Sequence, residues 1–223
     1  MNECFFVSDL HGRIERYRKL FDIISIDKPE IVFIGGDILP HGFSKITSPD
    51  RKHKDFITGF LAHEFKNLKD RIGADFPKIL IILGNDDGRL EEDAMLSVEA
   101  EGVWEYVHDK KVIIKGYPIY GYSFVPPTPF QLKDWEKYDV SRYVDPGCVS
   151  PEEGMRTISV SDHSKKYSTI QEDLKQLAGD DNLEQAIFLF HSPPYKTNLD
   201  RAALDGKTID PCPTRCKCWQ YRY

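Results

Sequence analysis

A chain of 223 residues, 40% hydrophobic and 30% charged, is long enough for one well-packed domain and has the composition of a globular protein. Its formal net charge of −6 argues against a general nucleic-acid binder, while leaving phosphate substrates open wherever bound divalent cations supply local positive charge. The apolar stretch Cys4 to Val7 is too short for a signal-peptide core and no run approaches membrane-spanning length, so the expected compartment is the cytoplasm with no membrane partner.

Phe5-Phe6-Val7 reads as a first strand that ends just before Asp9-Leu10-His11. Ile14, Tyr17, Leu20, Phe21 and Ile24 then recur at helical spacing, and Lys28-Pro29 stops that helix. A second strand, Ile31 to Ile34, delivers Gly36-Asp37 at its carboxyl end. Ile57, Leu61, Phe65, Leu68 and Ile72 make a second amphipathic helix ending near Gly73, and a third strand, Ile79 to Leu83, leads into Gly84-Asn85-Asp86-Asp87. Strands joined by such short helical crossovers are parallel neighbours, and their continuous apolar character says that both faces are covered.

From Val103 to Phe124 the texture changes to short strands, read as a second and more antiparallel sheet: Trp104 to Val107, Lys111 to Lys115 and Tyr117 to Phe124. The long segment from Val125 to Ser161 carries five prolines and the aromatics Phe130, Trp135, Tyr138 and Tyr143, which predict an ordered flap beside the site. These aromatics pack the flap onto the domain or stack on a nucleoside base, with Arg142 reaching a phosphate; packing is the commoner use. Tyr167, Ile170, Leu174 and Leu177 predict one helix, followed by the strand Ala186 to Phe190 and by His191. His41, His53, His63, His108 and His163 have no partner at ligand spacing and read as surface or capping residues, His41 lying nearest to Asp37. Ser8, Arg13 and the Asp200-Arg201 pair read as supporting residues. Cys4 and Cys148 are isolated, and Cys212, Cys216 and Cys218 lack the C-x2-C spacing of a zinc site.

Four apolar runs that each deliver an oxygen or nitrogen donor at the carboxyl end describe one site, because open sheets bind ligands in that crevice. Carboxylate, amide and imidazole donors without thiolate suit Mn, Fe, Zn or Mg. In extended geometry Asp9 and His11 point the same way and reach one ion, and a carboxylate such as Asp37 bridges two. A hydroxide held between two ions would attack phosphorus, which makes a small phosphorylated compound the expected substrate.

The ordered set Asp9-Leu10-His11, Gly36-Asp37, Gly84-Asn85-Asp86-Asp87 and His191 resembles the calcineurin-like metallophosphoesterases, whose blocks read D-x-H, G-D, G-N-H-[ED], a single His and G-H-x-H. The resemblance implies an α+β fold, a four-layer α/β/β/α sandwich, with two divalent metal ions and hydrolysis of a phosphodiester or phosphomonoester. By position, Asp9 and His11 would hold the first ion, Asp37 would bridge, and Asn85 and His191 would hold the second. Asn85 and Asp86 would be the catalytic pair of the third block. Asp86 stands where the family has histidine. It acts as general acid if its pKa is raised by burial or by Asp87, and otherwise as a supporting or solvated turn residue. No G-H-x-H follows His191, which implies a sheet lacking its last strands, with a domain over residues 1–207 and an atypical tail over 208–223 read as a frameshift or truncation. The alternative is a catalytically impaired member serving as a protein-binding scaffold.

Overall fold

The computed structural model describes residues 3–40, 56–195, 197, 202–204 and 207–209. Strand β1 (Cys4–Val7), helix α1 (Ile14–Asp27) and strand β2 (Ile31–Gly35) open the fold. A π-helical run, Ile57–Ala62, continues into α2 (His63–Ile72), which leads to β3 (Lys78–Ile82). Helix α3 (Glu92–Ala100) then returns the chain to β4 (Glu105–Tyr106), and the four strands pair in parallel in the order β1-β2-β3-β4. Helix α1 forms because one stripe, Tyr17, Leu20, Phe21 and Ile24, has a core to bury against. It stops where Lys28 turns left-handed and donates its backbone N–H to Ile24, one residue before Pro29.

A second sheet is built from β5 (Lys110–Ile114), β6 (Tyr117–Tyr122) and β7 (Ile187–Phe190). Alternation along the first sheet divides its side chains. Val32, Ile34, Ile79 and Ile81 face the helices, whereas Ile31, Phe33, Leu80 and Ile82 meet Ile119 and Leu189 of the other sheet, with Val107, just after β4, joining them. Helix α4 (Asp162–Tyr167) is followed by α5 (Ile170–Ala178), which lies against β5 as the fourth layer. The inner face of β1 is less well covered: Phe6 is 62% exposed and Cys4 is exposed.

Two sequence expectations are corrected. The strand within Trp104 to Val107 belongs to the first sheet, parallel to β3, because α3 supplies a third crossover that its short stripe (Met95 and Val98 buried) did not reveal. In the second sheet β5 and β6 pair antiparallel, as expected, and β7 joins β6 in parallel. The single helix expected around Tyr167 to Leu177 is two, because Ser161 and Thr169 each cap a new start, accepting the backbone N–H of Ser164 and Glu172. The last described strands, β8 (Ala202–Leu204) and β9 (Lys207–Ile209), pair with each other in an antiparallel hairpin. The tail expected from 208 lies, beyond residue 209, outside the described residues, as do His41, His53 and the Asp200-Arg201 pair.

The flap is ordered by a buried polar network. Lys133 and Glu136 are fully buried 2.5 Å apart, and Glu136 also accepts the N–H of Thr128 at 2.8 Å. Asp134 accepts the N–H of Arg89 at 2.7 Å and of Thr157 at 2.8 Å, tying both ends of the flap to the loop after β3. Trp135 and Tyr138 are buried, while Phe130 and Tyr143 are exposed and Arg142 pairs with Glu152 at 2.6 Å. Removing one member of a buried pair leaves the other charge uncompensated, so we expect Lys133→Met to destabilise the chain by about 3–5 kcal/mol in urea unfolding. The double change Lys133→Met with Glu136→Leu should recover most of that loss; equal destabilisation by both variants would contradict the pair's role.

Candidate metal centre

Loops from the carboxyl ends of β1, β2, β3 and β7 converge at one edge of the sandwich. Beyond Val7 the chain is no longer extended: Asp9 (φ 58°) and His11 (φ 49°) both turn left-handed, as does Asp37 (φ 53°). Non-glycine residues in that region carry about 1–3 kcal/mol of strain each and persist where the surroundings hold them. They are held here by a ladder of backbone bonds. Asp9 N–H donates to Gly36 O (3.0 Å), His11 N–H to Asp37 O (2.8 Å) and Gly12 N–H to Ile38 O (2.9 Å). Asp9 and His11 are therefore brought together by a left-handed turn, and strand alternation, the expected cause, is not the reason.

The close approach of these loops requires two glycines. A Cβ on Gly36 (φ 96°) would sit 2.7 Å from Nδ1 of His191, and one on Gly84 would sit 2.3 Å from Oδ1 of Asp37. Any side chain at either position would separate the β2 loop from its neighbours.

Donor atoms of Asp9, His11 and Asp37 lie within 4.8 Å of one another. Nε2 of His11 is 4.0 Å from Asp9 Oδ1 and 3.9 Å from Asp37 Oδ2. On the other side, Oδ1 of Asp37 is 3.4 Å from Nε2 of His191, which is 3.0 Å from Oδ1 of Asn85. Asp37 thus has one oxygen toward each histidine. All five residues expected as ligands are brought together, with Asp86 alongside: its Oδ2 is 3.3 Å from Nδ1 of His11, and its N–H donates to Asp37 at 2.9 Å. Nδ1 of His191 donates to the carbonyl of Gly35 at 2.7 Å, which leaves Nε2 as the nitrogen facing the cluster. Two carboxylates, two imidazoles and an amide oxygen make a donor set suited to a hard or borderline divalent cation.

Sequence reasoning missed the residue that fastens these loops. Asp87 is 1% exposed, and its carboxylate accepts the N–H groups of Ile38 (3.2 Å), Leu39 (2.8 Å) and Gly84 (2.8 Å), joining the loops after β2 and β3. Burial, and then the charge of Asp37, push Asp87 up to about 7 against those three amides. Tyr17 adds a bond from its hydroxyl to the carbonyl of Ile38 at 2.5 Å. His108, expected on the surface, is instead packed against Trp135, Phe124 and Tyr122. Only the long-range packing of β4 on the flap places it there. His63 and His163 contact Asn67 and Tyr167, away from the cluster.

The electrostatics give a pH signature. Burial alone would lower the His191 imidazole, but the Asp37 carboxylate outweighs it and raises the ring to about 9 from 6.5. The same pairing holds Asp37 below its ordinary value although burial pushes it up. Between those His191 values the folded chain keeps a proton that the unfolded chain releases, so this stabilisation is full below pH 6.5 and is lost as pH rises through 9. Asp87 acts in the same direction from 3.8 to about 7, whereas His108, which burial lowers from 6.5 to about 3, acts oppositely; these two offset at acid pH. We expect the Tm of the metal-free chain to fall from pH 6.5 to 9, and His191→Gln to flatten the decline. A flat wild-type profile would contradict the Asp37–His191 pairing. Asp87→Ala, which strips three buried amides of their acceptor, should destabilise the chain by about 2–4 kcal/mol in the same melts; a loss under about 1 kcal/mol would show that the loops hold without it.

The calcineurin-like phosphoesterase family model matches residues 4–210, nearly the whole described fold. One crystal structure superposes with a TM-score of 0.52 at 15% identity, covering 92% of this chain and 75% of that chain. The crystal structure of TT1561 of Thermus thermophilus superposes with a TM-score of 0.50 at 17% identity, covering 88% and 70%. No curated protein matches the sequence. Among the described residues no helix is long and apolar enough to cross a membrane. The structural likenesses carry the fold, the family match carries the reaction class, and together they make this chain a member of the calcineurin-like phosphoesterases, metal-dependent hydrolases of phosphate esters.

Proposed function

We propose that this chain hydrolyses a small phosphate ester, mono- or diester, with two divalent cations held by Asp9 and His11 on one side, Asn85 and His191 on the other, and Asp37 between them. The observation that carries this reading is Asp37 itself, whose two oxygens face His11 and His191 from one buried carboxylate. When bound, a pair of divalent cations supplies a nucleophile at neutral pH and offsets charge developing on the phosphoryl oxygens. The chain contributes position. The left-handed turns fix Asp9, His11 and Asp37, and the Gly35 carbonyl fixes the His191 tautomer. His191 must release its Nε2 proton to ligate, so cation affinity should rise with pH.

Of the two roles open to Asp86, orientation of His11 has the geometric support. With Oδ2 at 3.3 Å from Nδ1, a charge contact not aligned as a hydrogen bond, its carboxylate favours a hydrogen on Nδ1 and so leaves Nε2 toward Asp9 and Asp37. Orienting carboxylates of this kind typically change metal affinity by about 10–100-fold. We therefore expect Asp86→Ala to weaken Mn²⁺ binding by at least about tenfold in calorimetric titration. Unchanged affinity, with a selective loss of turnover on poor leaving groups, would instead make Asp86 the general acid.

The reading as a whole is tested by Mn²⁺-dependent hydrolysis of a chromogenic phosphodiester and monoester. We expect turnover from the wild-type chain and none from Asp37→Asn, which should also lose Mn²⁺ binding. A folded wild-type chain that binds Mn²⁺ and turns over neither ester would move the assignment to a protein-binding scaffold.

A further inference from the structure

Beside the acidic cluster lies a cavity of about 230 Å³ that the proposed hydrolysis does not use. His108, just after β4, and Tyr122 and Phe124, at the end of β6, form part of its wall. Asn85 follows β3 and His191 follows β7, so in each sheet the cavity sits one strand further along the same carboxyl-terminal rim. Neighbouring strands are roughly 5 Å apart, which puts the two sites side by side.

The cavity collects hydrogen-bond donors that have no acceptor. The Arg89 guanidinium lies over the rings of Trp135 (5.1 Å) and Phe124 (5.5 Å), and its Nε pairs with Glu92 at 3.2 Å. Its two terminal nitrogens have no acceptor among the described residues. Arg156 spends its terminal nitrogens on the carbonyls of Lys133, Glu136 and Pro151, while its buried Nε has no hydrogen-bond partner among the described residues. Nδ1 of His108 accepts the N–H of Ser123 at 3.0 Å, so in the neutral ring Nε2 carries the hydrogen, again with no acceptor among the described residues. Burial, followed by the nearby cations, keeps that ring neutral by lowering it to about 3. It is therefore a fixed donor across the working pH range.

The carboxylates in the wall are mostly occupied. Glu136 takes Lys133 and Thr128, and Asp173 takes Lys137 and the Tyr122 hydroxyl, both at 2.5 Å. Asp109 is the exception; burial, and then Asp173, raise its carboxyl above the ordinary value. Buried donors are normally satisfied, and charge-assisted bonds from arginine are the strongest available to an oxyanion.

We propose that this cavity is a binding site for a small oxyanion of the phosphate type, received by Arg89 and His108, with the positive charge of Arg156 behind them. The anion is either free phosphate or a second anionic group on the ester held at the neighbouring cluster; the latter source rests on the phosphoesterase reading, the site itself does not.

The test is calorimetric titration of the full-length, metal-free chain with inorganic phosphate. We expect one saturable site. Arg89→Met should weaken it by at least about tenfold, and Asp109→Asn, which removes a repulsive carboxylate, should tighten it by roughly threefold. Asp37→Asn should change phosphate affinity far less than Arg89→Met does, separating this site from the cluster. Should Arg89→Met fail to fold, Asp109→Asn and Lys165→Met, whose side chain also lines the cavity, decide in its place: tightening by the first and weakening by the second support the site. No saturable binding by the wild-type chain, or the same affinity in all these variants, would overturn the proposal. With Mn²⁺ restored, a KM that Arg89→Met raises only for an ester bearing a second phosphate identifies the substrate as the source. A KM unchanged for every ester, with phosphate binding lost, identifies the free anion. A chain with no turnover at all would remove the phosphoesterase reading and leave the binding result standing.

Discussion

The buried carboxylate of Asp37 is the constraint on which the rest of this structure depends. An ionised group at 6% exposure persists only when donors and cations surround it closely. The surroundings supply the Asp86 N–H, the His191 ring and, further off, His11. Gathering those partners forces the β2 loop against the loops after β1 and β3, and that approach leaves no space for a Cβ at Gly36 or Gly84. It also explains Asp87. Burial, and then the first carboxylate beside it, push this second carboxylate toward neutrality, yet its three backbone bonds are what hold the two loops at that distance. Asp9, Asp37, Asp86 and Asp87 crowd two histidines, so the cluster has a surplus of negative charge that divalent cations would relieve.

The sheets make this crowding possible by being stiff. Strands β2 and β3 are apolar on both faces and buried on both, between the helices and the second sheet, so the loops at their ends start from fixed points. Strand β7 reaches the same edge because it pairs in parallel with β6 and packs over β2, which carries His191 to Gly35. The flap reinforces the far side of the rim through Asp134, which grips the Arg89 backbone four residues beyond Asn85. Its buried Lys133–Glu136 pair is internal, and together with the outward bonds to the Arg89 backbone and to Asp173 it makes the flap a fixed wall for the rim.

What could be read from the sequence divides along the range of the interactions involved. Apolar runs such as Ile31 to Ile34 and Ile79 to Leu83 declare buried parallel strands on their own, and donors placed just after them mark the site. Helix α3 was not legible, because only Met95 and Val98 of its nine residues are buried and so short a stripe gives little periodic signal. Missing it misplaced β4, a two-residue strand whose sheet is decided by the crossover before it. Asp87 reads as one more acidic turn residue until the loop after β2 folds over it. His108 gives no local sign either; its neighbours Ser123, Phe124 and Trp135 come from β6 and the flap.

The rim therefore has two halves of opposite character, and the chain separates them. Toward β1, β2 and β7 it gathers acceptors that call for cations; toward β4 and β6 it gathers donors that call for an anion. In a chain with a net charge of −6 the second half is the less expected, since Arg89 and Arg156 have many carboxylates elsewhere to pair with. Instead Arg89 is held over two aromatic rings by a single carboxylate, and Arg156 is spent on backbone carbonyls. Carbonyls and ring faces position a guanidinium without neutralising it, so Arg89 is offset by Glu92 alone and Arg156 only by Asp134 and Glu136 beyond ion-pair distance. Cation-seeking and anion-seeking sites one strand apart suit a ligand with more than one anionic group, one placed at the acidic cluster through metal and the other at the arginines directly.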